Sequence, residues 1–206
     1  MIYILTGGPA TGKGTRASIL AKALEIPHIS TGEILREFSK EDEKIDNMLS
    51  KGELISDELI TDLLRERIIR EDCKKGFILD GYPRTIKQVK LLDKLLNKLG
   101  RKITKVIELT APEELVYKRI LERRQCVECK KMYGIDFPPK KEGICDDCGG
   151  KLYIRTDDTK ETLKERIETY KENSKEILDY YKKVGLLKTV DSSGHPERIV
   201  EEATED

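Results

Sequence analysis

The residues with the clearest chemical meaning lie in one glycine-rich loop near the start of the chain. Residues 7–15 read Gly-Gly-Pro-Ala-Thr-Gly-Lys-Gly-Thr. Glycines let backbone N–H groups turn toward an anion, and a lysine at a helix start adds a full positive charge. Gly14 separates Lys13 from Thr15, whereas the common P-loop pattern has Ser or Thr directly after the lysine. The stretch predicts a phosphate-binding loop, and a purely structural turn is the alternative.

Four of the cysteines form two pairs later in the chain. Cys126 and Cys129 make one Cys-x2-Cys pair, and Cys145 and Cys148 make the other. This spacing predicts a tetrahedral zinc site, and a closed shell of four thiolates predicts a structural metal. Two disulfides are the alternative, and iron also accepts four thiolates. The segment 125–155 has few large apolar residues, so we expect its fold to depend on the metal.

Further candidates lie where predicted elements end. Asp80 ends an apolar run and is a candidate for a water-mediated contact to Mg²⁺, with a simple turn aspartate as the alternative. Arg119 and Arg123 are four residues apart on a predicted helix, so they share a face and could clamp phosphates, although helix arginines are usually solvated. Gln88 follows Arg84 by four residues, which places it near the same site.

The elements that must position these residues alternate between strands and helices. Ile2 to Leu5 predicts a buried strand, and Ala17 to Leu24 predicts a helix after the loop. Other short apolar runs predict strands at 26–29, 77–80, 105–109 and 186–190. Amphipathic patterns between them predict helices, the longest at 159–183. Strands that alternate with helices indicate an α/β fold.

Composition excludes some functions. The 206 residues contain 39 basic and 39 acidic side chains, so the chain lacks the basic excess of a general nucleic-acid binder. Its N-terminal apolar run is too short for a signal peptide or a membrane span. We therefore expect a cytoplasmic protein without a nucleic-acid or membrane partner. The lone Cys73 predicts a small buried side chain, and His28 and His195 suggest no role.

Together these motifs resemble the adenylate kinase family, in its long bacterial form with a zinc-bearing lid. The matching stretches are the loop at 7–15, Ile-Ser-Thr-Gly-Glu-Ile-Leu-Arg at 29–36, Asp-Gly-Tyr-Pro-Arg-Thr at 80–85, Arg-Ile-Leu-Glu-Arg-Arg at 119–124, the four cysteines, and Arg-Thr-Asp-Asp at 155–158. The resemblance implies a doubly wound parallel sheet of five strands flanked by helices. This core comprises residues 1–29, 60–120 and 159–206, with a helical AMP-binding insertion at 30–59 and a lid at 121–158.

The resemblance also implies the reaction MgATP + AMP ⇌ 2 ADP in a monomer, with Mg²⁺ and a structural Zn²⁺. It implies that ATP is bound by Ala10, Thr11, Gly12, Lys13, Gly14, Thr15, Arg119, Arg123, Met132, Tyr133 and the backbone of Gly194. It implies that AMP is bound by Thr31, Arg36, Glu53, Leu54, Ile55, Gly81, Tyr82, Pro83, Arg84, Gln88, Arg155 and Arg166. The implied catalytic set is Lys13, Arg36, Arg84, Arg123, Arg155, Arg166 and Asp80, with Arg155 and Arg166 bridging the two nucleotides.

The implied chemistry needs no general base, because a phosphate acceptor is already mostly ionised near neutral pH. It needs positioning, positive charge and the exclusion of water, so we expect lid opening to limit turnover. Two other functions stay open. A UMP/CMP kinase is one, although Thr31 and Gln88 favour AMP. A zinc-ribbon interaction protein with a regulatory P-loop is the other, although such a switch would not require the arginine set.

Three residues in the loop or directly after it depart from the family pattern. Ala10 stands where glycine is usual, Thr11 where alanine is common, and Arg16 where glutamine is usual. If position 10 requires a positive φ, alanine there costs about 1 kcal/mol of strain.

Overall fold

The computed structural model describes residues 1–40, 42–51 and 55–205. Its strands are β1 (Ile2–Gly7), β2 (His28–Ser30), β3 (Phe77–Asp80), β4 (Lys105–Thr110), β5 (Arg124–Cys126), β6 (Met132–Tyr133), β7 (Leu152–Tyr153) and β8 (Leu187–Asp191). Its α-helices are α1 (Lys13–Leu24), α2 (Thr31–Phe38), α3 (Glu43–Lys51), α4 (Asp57–Ile68), α5 (Ile86–Lys98), α6 (Glu113–Glu122), α7 (Lys160–Lys183) and α8 (Ile199–Thr204). Two short 3-10 helices lie at Glu71–Cys73 and Pro196–Arg198.

Five parallel strands form the central sheet, in the order β2-β3-β1-β4-β8. The middle strand β1 pairs Ile4 with Leu79 of β3 and with Val106 of β4. The two neighbours of β1, β3 and β4, both come later in the chain, so the strand order reverses at β1. The loop after β1 therefore lies at the point on the carboxyl edge where such sheets bind ligands. The predicted five-stranded parallel sheet is therefore confirmed.

Both faces of this sheet are buried, because successive residues of each strand point to opposite faces. Ile2 and Ile4 pack with apolar residues of α4, α5 and α7. Tyr3 and Leu5 pack with apolar residues of α1 and α8 on the other face. This two-sided core keeps the carboxyl edge of the sheet rigid beneath the loops.

Hydroxyl side chains begin several of the helices. Ser30 accepts the backbone N–H of Glu33 at 3.4 Å and thereby caps α2. Thr85 accepts the N–H of Gln88 at 3.1 Å and caps α5. These caps satisfy backbone donors that the first helical turn leaves free. They also fix where each helix leaves the sheet edge, and so where its first residues point.

Residues between α6 and α7 form a separate antiparallel sheet, in the order β6-β5-β7. Its three short strands were not predicted from the sequence. The sequence also placed the start of the second strand at residue 26 and the start of the first helix at residue 17. The structure begins these elements at His28 and Lys13. Over the described ranges, every helix is too short or too polar to cross a membrane.

Candidate functional site

The glycine-rich loop runs from the end of β1 to the start of α1 and contains three residues with positive φ. They are Gly7 (141°), Ala10 (56°) and Gly12 (83°). A Cβ atom at Gly7 would lie 2.3 Å from the carbonyl oxygen of Leu109, so β4 packs directly against this glycine. Ala10 is a genuine left-handed residue, which carries the strain that its departure from glycine implied.

The ammonium group of Lys13 is folded back into this loop. Its Nζ donates hydrogen bonds to the carbonyl oxygens of Gly7 (2.8 Å) and Gly8 (2.6 Å). Burial lowers the pKa of Lys13 to about 8, against the attraction of Asp80 and with the repulsion of three nearby arginines. A buried cation among other cations gains strongly from an anion, so the loop favours phosphate.

Five arginines from separate elements form a cluster that reaches the loop: Arg84, Arg123 and Arg166 lie near Lys13, and Arg36 and Arg155 lie near Arg123. They are Arg36 of α2, Arg84 after β3, Arg123 at the end of α6, Arg155 after β7, and Arg166 of α7. Burial lowers the pKa of Arg36 to about 10, and the nearby charge of Arg155 acts in the same direction. Burial also lowers the pKa of Arg84, with repulsion from Arg166. The structure thus brings together every cation of the predicted catalytic set.

Two neighbouring carboxylates hold part of this arginine cluster. Asp158 accepts a hydrogen bond from Nε of Arg123 at 2.7 Å, and Asp157 accepts one from Nε of Arg155 at 3.0 Å. Asp157 also pairs with Arg166. Although burial opposes it, the arginines hold the pKa of Asp157 well below its usual range. Sequence reasoning used these aspartates only as part of a motif and missed this pairing.

Asp80 lies buried at the carboxyl end of β3, facing the loop. A Cβ atom at Gly14 would lie 3.5 Å from its Oδ2 atom. The same Oδ2 lies 3.3 Å from Nε2 of His28, and Nδ1 of His28 lies 3.3 Å from the hydroxyl of Ser18. Although burial opposes it, the contact with His28 and the nearby cations keep the pKa of Asp80 low. Asp80 is therefore an ionised carboxylate that suits a hydrated Mg²⁺.

The contact of His28 with Asp80 was missed, since the sequence assigned His28 no role. This contact depends on the register between two neighbouring strands. β2 pairs in parallel with β3, so that His28 lies opposite Ile78 and Ser30 opposite Asp80. That pairing places the histidine ring beside the carboxylate at the sheet edge. Sequence alone could not show that β2 and β3 are neighbours.

The predicted AMP-binding residues lie beside this edge. Thr31 is buried and donates its hydroxyl proton to the carbonyl oxygen of Asp80 at 3.2 Å. Gln88 accepts the N–H of Arg84 at 2.7 Å, and its amide nitrogen donates to Asp57 at 2.8 Å. Gln88 therefore orders the loop that carries Arg84. Buried positions are also found for Ile55, Tyr82 and Pro83.

Two members of the predicted AMP set cannot be placed. Glu53 and Leu54 lie outside the described residues. Gly81, with φ of 83°, packs against Thr31 and Arg84, because an added Cβ would lie 2.9 Å from both side chains.

Arg16 and Arg119 both contact the C-terminal segment of the chain. Arg119 donates to the carbonyl oxygen of Ser192 at 2.7 Å, and its Nε lies 2.9 Å from a carboxylate oxygen of Asp136. Arg16 donates to the carbonyl oxygens of Ser192 (2.8 Å) and Gly194 (2.9 Å). Burial and the repulsion of Arg119 lower the pKa of Arg16 to about 10. The departure at position 16 thus fastens α1 to the segment that contains Gly194.

The four paired cysteines converge in the small antiparallel sheet. Their Sγ atoms all lie within 4.8 Å of one another, as a tetrahedral four-thiolate ion requires. The close pairs are Cys126 with Cys148 at 3.4 Å and Cys129 with Cys145 at 3.5 Å. These distances are far longer than a disulfide bond, and all four thiols are free. The geometry therefore fits a metal and disagrees with the alternative of two disulfides.

The remaining lid candidates and the fifth cysteine have clear positions. Met132 is half-buried on β6, and Tyr133 beside it is buried against the cysteine cluster. Cys73 is fully buried among apolar residues, as its isolation predicted.

The chain is similar to known proteins over most of its length. A family model described as Adenylate kinase matches residues 5–186. A curated adenylate kinase of Caldicellulosiruptor bescii is 47% identical, covering 91% of this chain and 89% of its own length. Those of Thermosipho melanesiensis and Archaeoglobus fulgidus are 45% and 44% identical, each covering 98% of this chain and 97% and 95% of their own lengths.

Proposed function

The chain belongs to the adenylate kinase family, and from that premise we propose how its residues bind two nucleotides and transfer a phosphoryl group between them. The enzyme is a nucleoside monophosphate phosphotransferase, and its reaction is the reversible transfer of the γ-phosphoryl group of ATP to AMP. Neither the family match nor the site favours the UMP/CMP alternative. A zinc-ribbon protein with a regulatory P-loop would not need residues for a phosphate acceptor. The proposed acceptor site therefore argues against that alternative.

One observation supports this mechanism most directly. Lys13 and five arginines from five different elements converge at the carboxyl edge of the sheet. Phosphoryl transfer requires positive charge around the donor, the acceptor and the moving group at once. A single phosphate site would need far fewer cations.

In the proposed arrangement, the loop residues Ala10 to Thr15 and the ammonium of Lys13 bind the phosphates of ATP. Arg36 and Arg84 hold the phosphate of AMP. Arg123, Arg155 and Arg166 lie between the two and neutralise the charge that develops during transfer. Bound phosphates replace the loop carbonyls and aspartates that now accept hydrogen bonds from Lys13 and these arginines.

Mg²⁺ would be supplied with ATP and would add positive charge that stabilises the phosphates. Asp80 would hold it through water, because its carboxylate is ionised and faces Gly14. No residue must remove a proton from the acceptor. The lid, residues 121–158, would instead exclude water, which is the competing acceptor.

Several finer features complete the proposal. Thr31 and Gln88 select adenine in the acceptor, since an amide can pair with both a donor and an acceptor on the base edge. The backbone of Gly194, with Arg119, Met132 and Tyr133, contributes to the ATP side. The four cysteines hold a structural Zn²⁺, and the enzyme acts as a cytoplasmic monomer.

A steady-state assay tests the acceptor. ATP is supplied with AMP, CMP, UMP or GMP, and ADP formation is measured. We expect turnover with AMP at least tenfold faster than with any other acceptor, since mismatched buried polar groups discriminate strongly. Faster turnover with CMP or UMP would establish the alternative kinase, and no turnover with any acceptor would exclude a kinase.

A further inference from the structure

The side chain of Tyr133 ends at the cysteine cluster. Tyr133 is buried on β6 and packs against Cys126 and Cys145. Its hydroxyl oxygen lies 3.3 Å from Sγ of Cys145 and 2.7 Å from the backbone nitrogen of Asp146. A backbone N–H can only donate, so the Tyr133 oxygen is the acceptor in the second contact. The single proton of the hydroxyl is thereby free to point at the sulfur.

We propose that Tyr133 is an outer-sphere residue of the lid metal site, where its hydroxyl donates a hydrogen bond to the thiolate of Cys145 and strengthens the binding of a tetrahedral divalent cation. This inference rests on the metal site proposed above. It gives the hydroxyl of Tyr133 a role at the metal, in addition to the contribution of this residue to the ATP side.

Charge is the physical reason for such a donor. Four thiolates around one divalent ion leave two net negative charges, which the surroundings must stabilise. The Tyr133 hydroxyl supplies one hydrogen bond from inside the small sheet. Lys131 adds positive charge nearby, with its Nζ 5.5 Å from the centre of the Tyr133 ring.

Backbone pairing also connects Tyr133 with the strand that follows Arg123. Tyr133 pairs with Arg124, and the neighbouring Met132 pairs with Gln125. These partners directly follow Arg123, which belongs to the arginine cluster. A hydroxyl that is fixed at the metal therefore also fixes the register of β6 against β5.

Tyr153 provides a matched control in the same sheet. It lies on β7, on the opposite side of β5 from β6, and its hydroxyl donates to the side-chain oxygen of Gln125 at 3.0 Å. Tyr153→Phe removes the same atom as Tyr133→Phe, and each variant loses one hydrogen bond that Tyr donates. Tyr133→Phe also removes the acceptor of the Asp146 N–H. Only Tyr133→Phe removes a donor to sulfur.

The experiment compares the full chain with these two variants. Each is loaded with Zn²⁺ and titrated with a chromophoric chelator. We expect Zn²⁺ affinity to fall by about 10- to 100-fold in Tyr133→Phe, as for other outer-sphere partners of metal ligands. Tyr153→Phe should stay within about twofold of the unaltered chain, since its hydroxyl contacts no ligand.

Co²⁺ provides a second readout, which does not depend on activity. Loss of a hydrogen bond makes the Cys145 thiolate a stronger electron donor. The sulfur-to-cobalt charge-transfer bands should therefore move to longer wavelength in Tyr133→Phe alone. Far-UV circular dichroism checks that both variants retain the helices of the core.

The outcomes separate the two proposals. Equal Zn²⁺ affinity and equal Co²⁺ spectra in all three chains would overturn the role of Tyr133 and leave the metal site intact. Equal weakening in both variants would assign the effect to sheet packing and also overturn that role. An unaltered chain that binds neither ion would overturn the metal site itself, and with it this inference.

Discussion

At the scale of single residues, Lys13 illustrates how surroundings adapt a side chain to its ligand. Its ammonium is buried, hydrogen-bonded to two carbonyl oxygens and repelled by arginines. Burial and the repulsion of the arginines lower its pKa to about 8, against the attraction of Asp80. A bound phosphate favours the charged form and raises that pKa again. In the arrangement proposed above, binding of ATP is therefore linked to protonation of Lys13.

We predict that ATP affinity is constant below about pH 8 and falls as the pH rises through the pKa of Lys13. Above that pKa, binding requires uptake of a proton, so affinity should fall about tenfold per pH unit. Binding of a fluorescent ATP analogue without AMP measures this. Lys13→Met is the control, and it should bind more weakly without the alkaline fall. An unchanged fall in Lys13→Met would assign the titration to another group.

The same variant tests catalysis. Lys13→Met removes charge that stabilises the transferring phosphoryl group, so turnover should drop by about 10²- to 10³-fold while the fold is kept. The coupled assay with saturating ATP and AMP measures this, and circular dichroism checks the fold. Near-normal turnover would contradict the role given to Lys13.

Ala10 provides a test of backbone strain. With φ of 56° it lies in the left-handed region, where an L-residue is strained and glycine is not. We predict that Ala10→Gly raises the free energy of unfolding by about 0.5–1 kcal/mol, because relief of strain exceeds the extra freedom of glycine in the unfolded chain. Chemical denaturation measures it. A destabilised variant would mean that the loop is unstrained at this position.

At the scale of elements, the lid sheet depends on close packing around sulfur. A Cβ atom at Gly150 would lie 2.9 Å from Sγ of Cys126 and 3.3 Å from Sγ of Cys148. Gly143 lies in the same segment, and a Cβ there would meet nothing within 4 Å. A substitution at Gly150 therefore tests contact with the metal ligands. A substitution at Gly143, which has a positive φ of 74°, tests backbone strain without such a contact.

We predict that Gly150→Ala displaces a ligand sulfur and weakens Zn²⁺ binding by about tenfold or more. Gly143→Ala should cost about 1 kcal/mol of stability and leave the affinity for Zn²⁺ almost unchanged. Chelator titration measures the affinity of both. If the two variants bind Zn²⁺ equally well, the cysteine cluster tolerates displacement at position 150.

At the scale of the whole molecule, polar contacts join the proposed lid, residues 121–158, to the rest of the chain. Asp136 pairs with Arg119 of α6. Gln125 also donates to Glu33 of α2 at 3.4 Å, which connects the lid with the proposed AMP insertion. In the proposed mechanism, these polar contacts break when products leave. They support the expectation that opening is slow compared with transfer.

We predict a burst of ADP in rapid-mixing experiments with ATP and AMP, followed by slower steady turnover. Asp136→Asn should raise the steady rate, since it weakens one closing contact between the lid and Arg119. Slow formation of ADP without a burst would show that phosphoryl transfer, and not opening, limits the reaction.

The sequence by itself determined the parts that depend on local chemistry. Residues 7–15 predicted the phosphate loop, four cysteines predicted one metal cluster, and alternating apolar patterns predicted the α/β sheet. These signals are readable because loop geometry, ligand spacing and strand periodicity depend on neighbours along the chain. The boundaries of α1 and β2 and the strands of the lid were harder to predict from the sequence, because tertiary contacts determine them.

Only the tertiary structure decided which distant residues meet. It placed His28 beside Asp80, Arg16 on the carbonyl oxygens of Ser192 and Gly194, and the Tyr133 hydroxyl on Cys145. Each contact joins elements whose adjacency depends on strand order or on the path of a loop. Local propensity carries no record of such order, because a side chain is positioned by the packing of the elements around it. The glycine-rich loop could thus be found in the sequence, whereas the residues around it could be identified only from the structure.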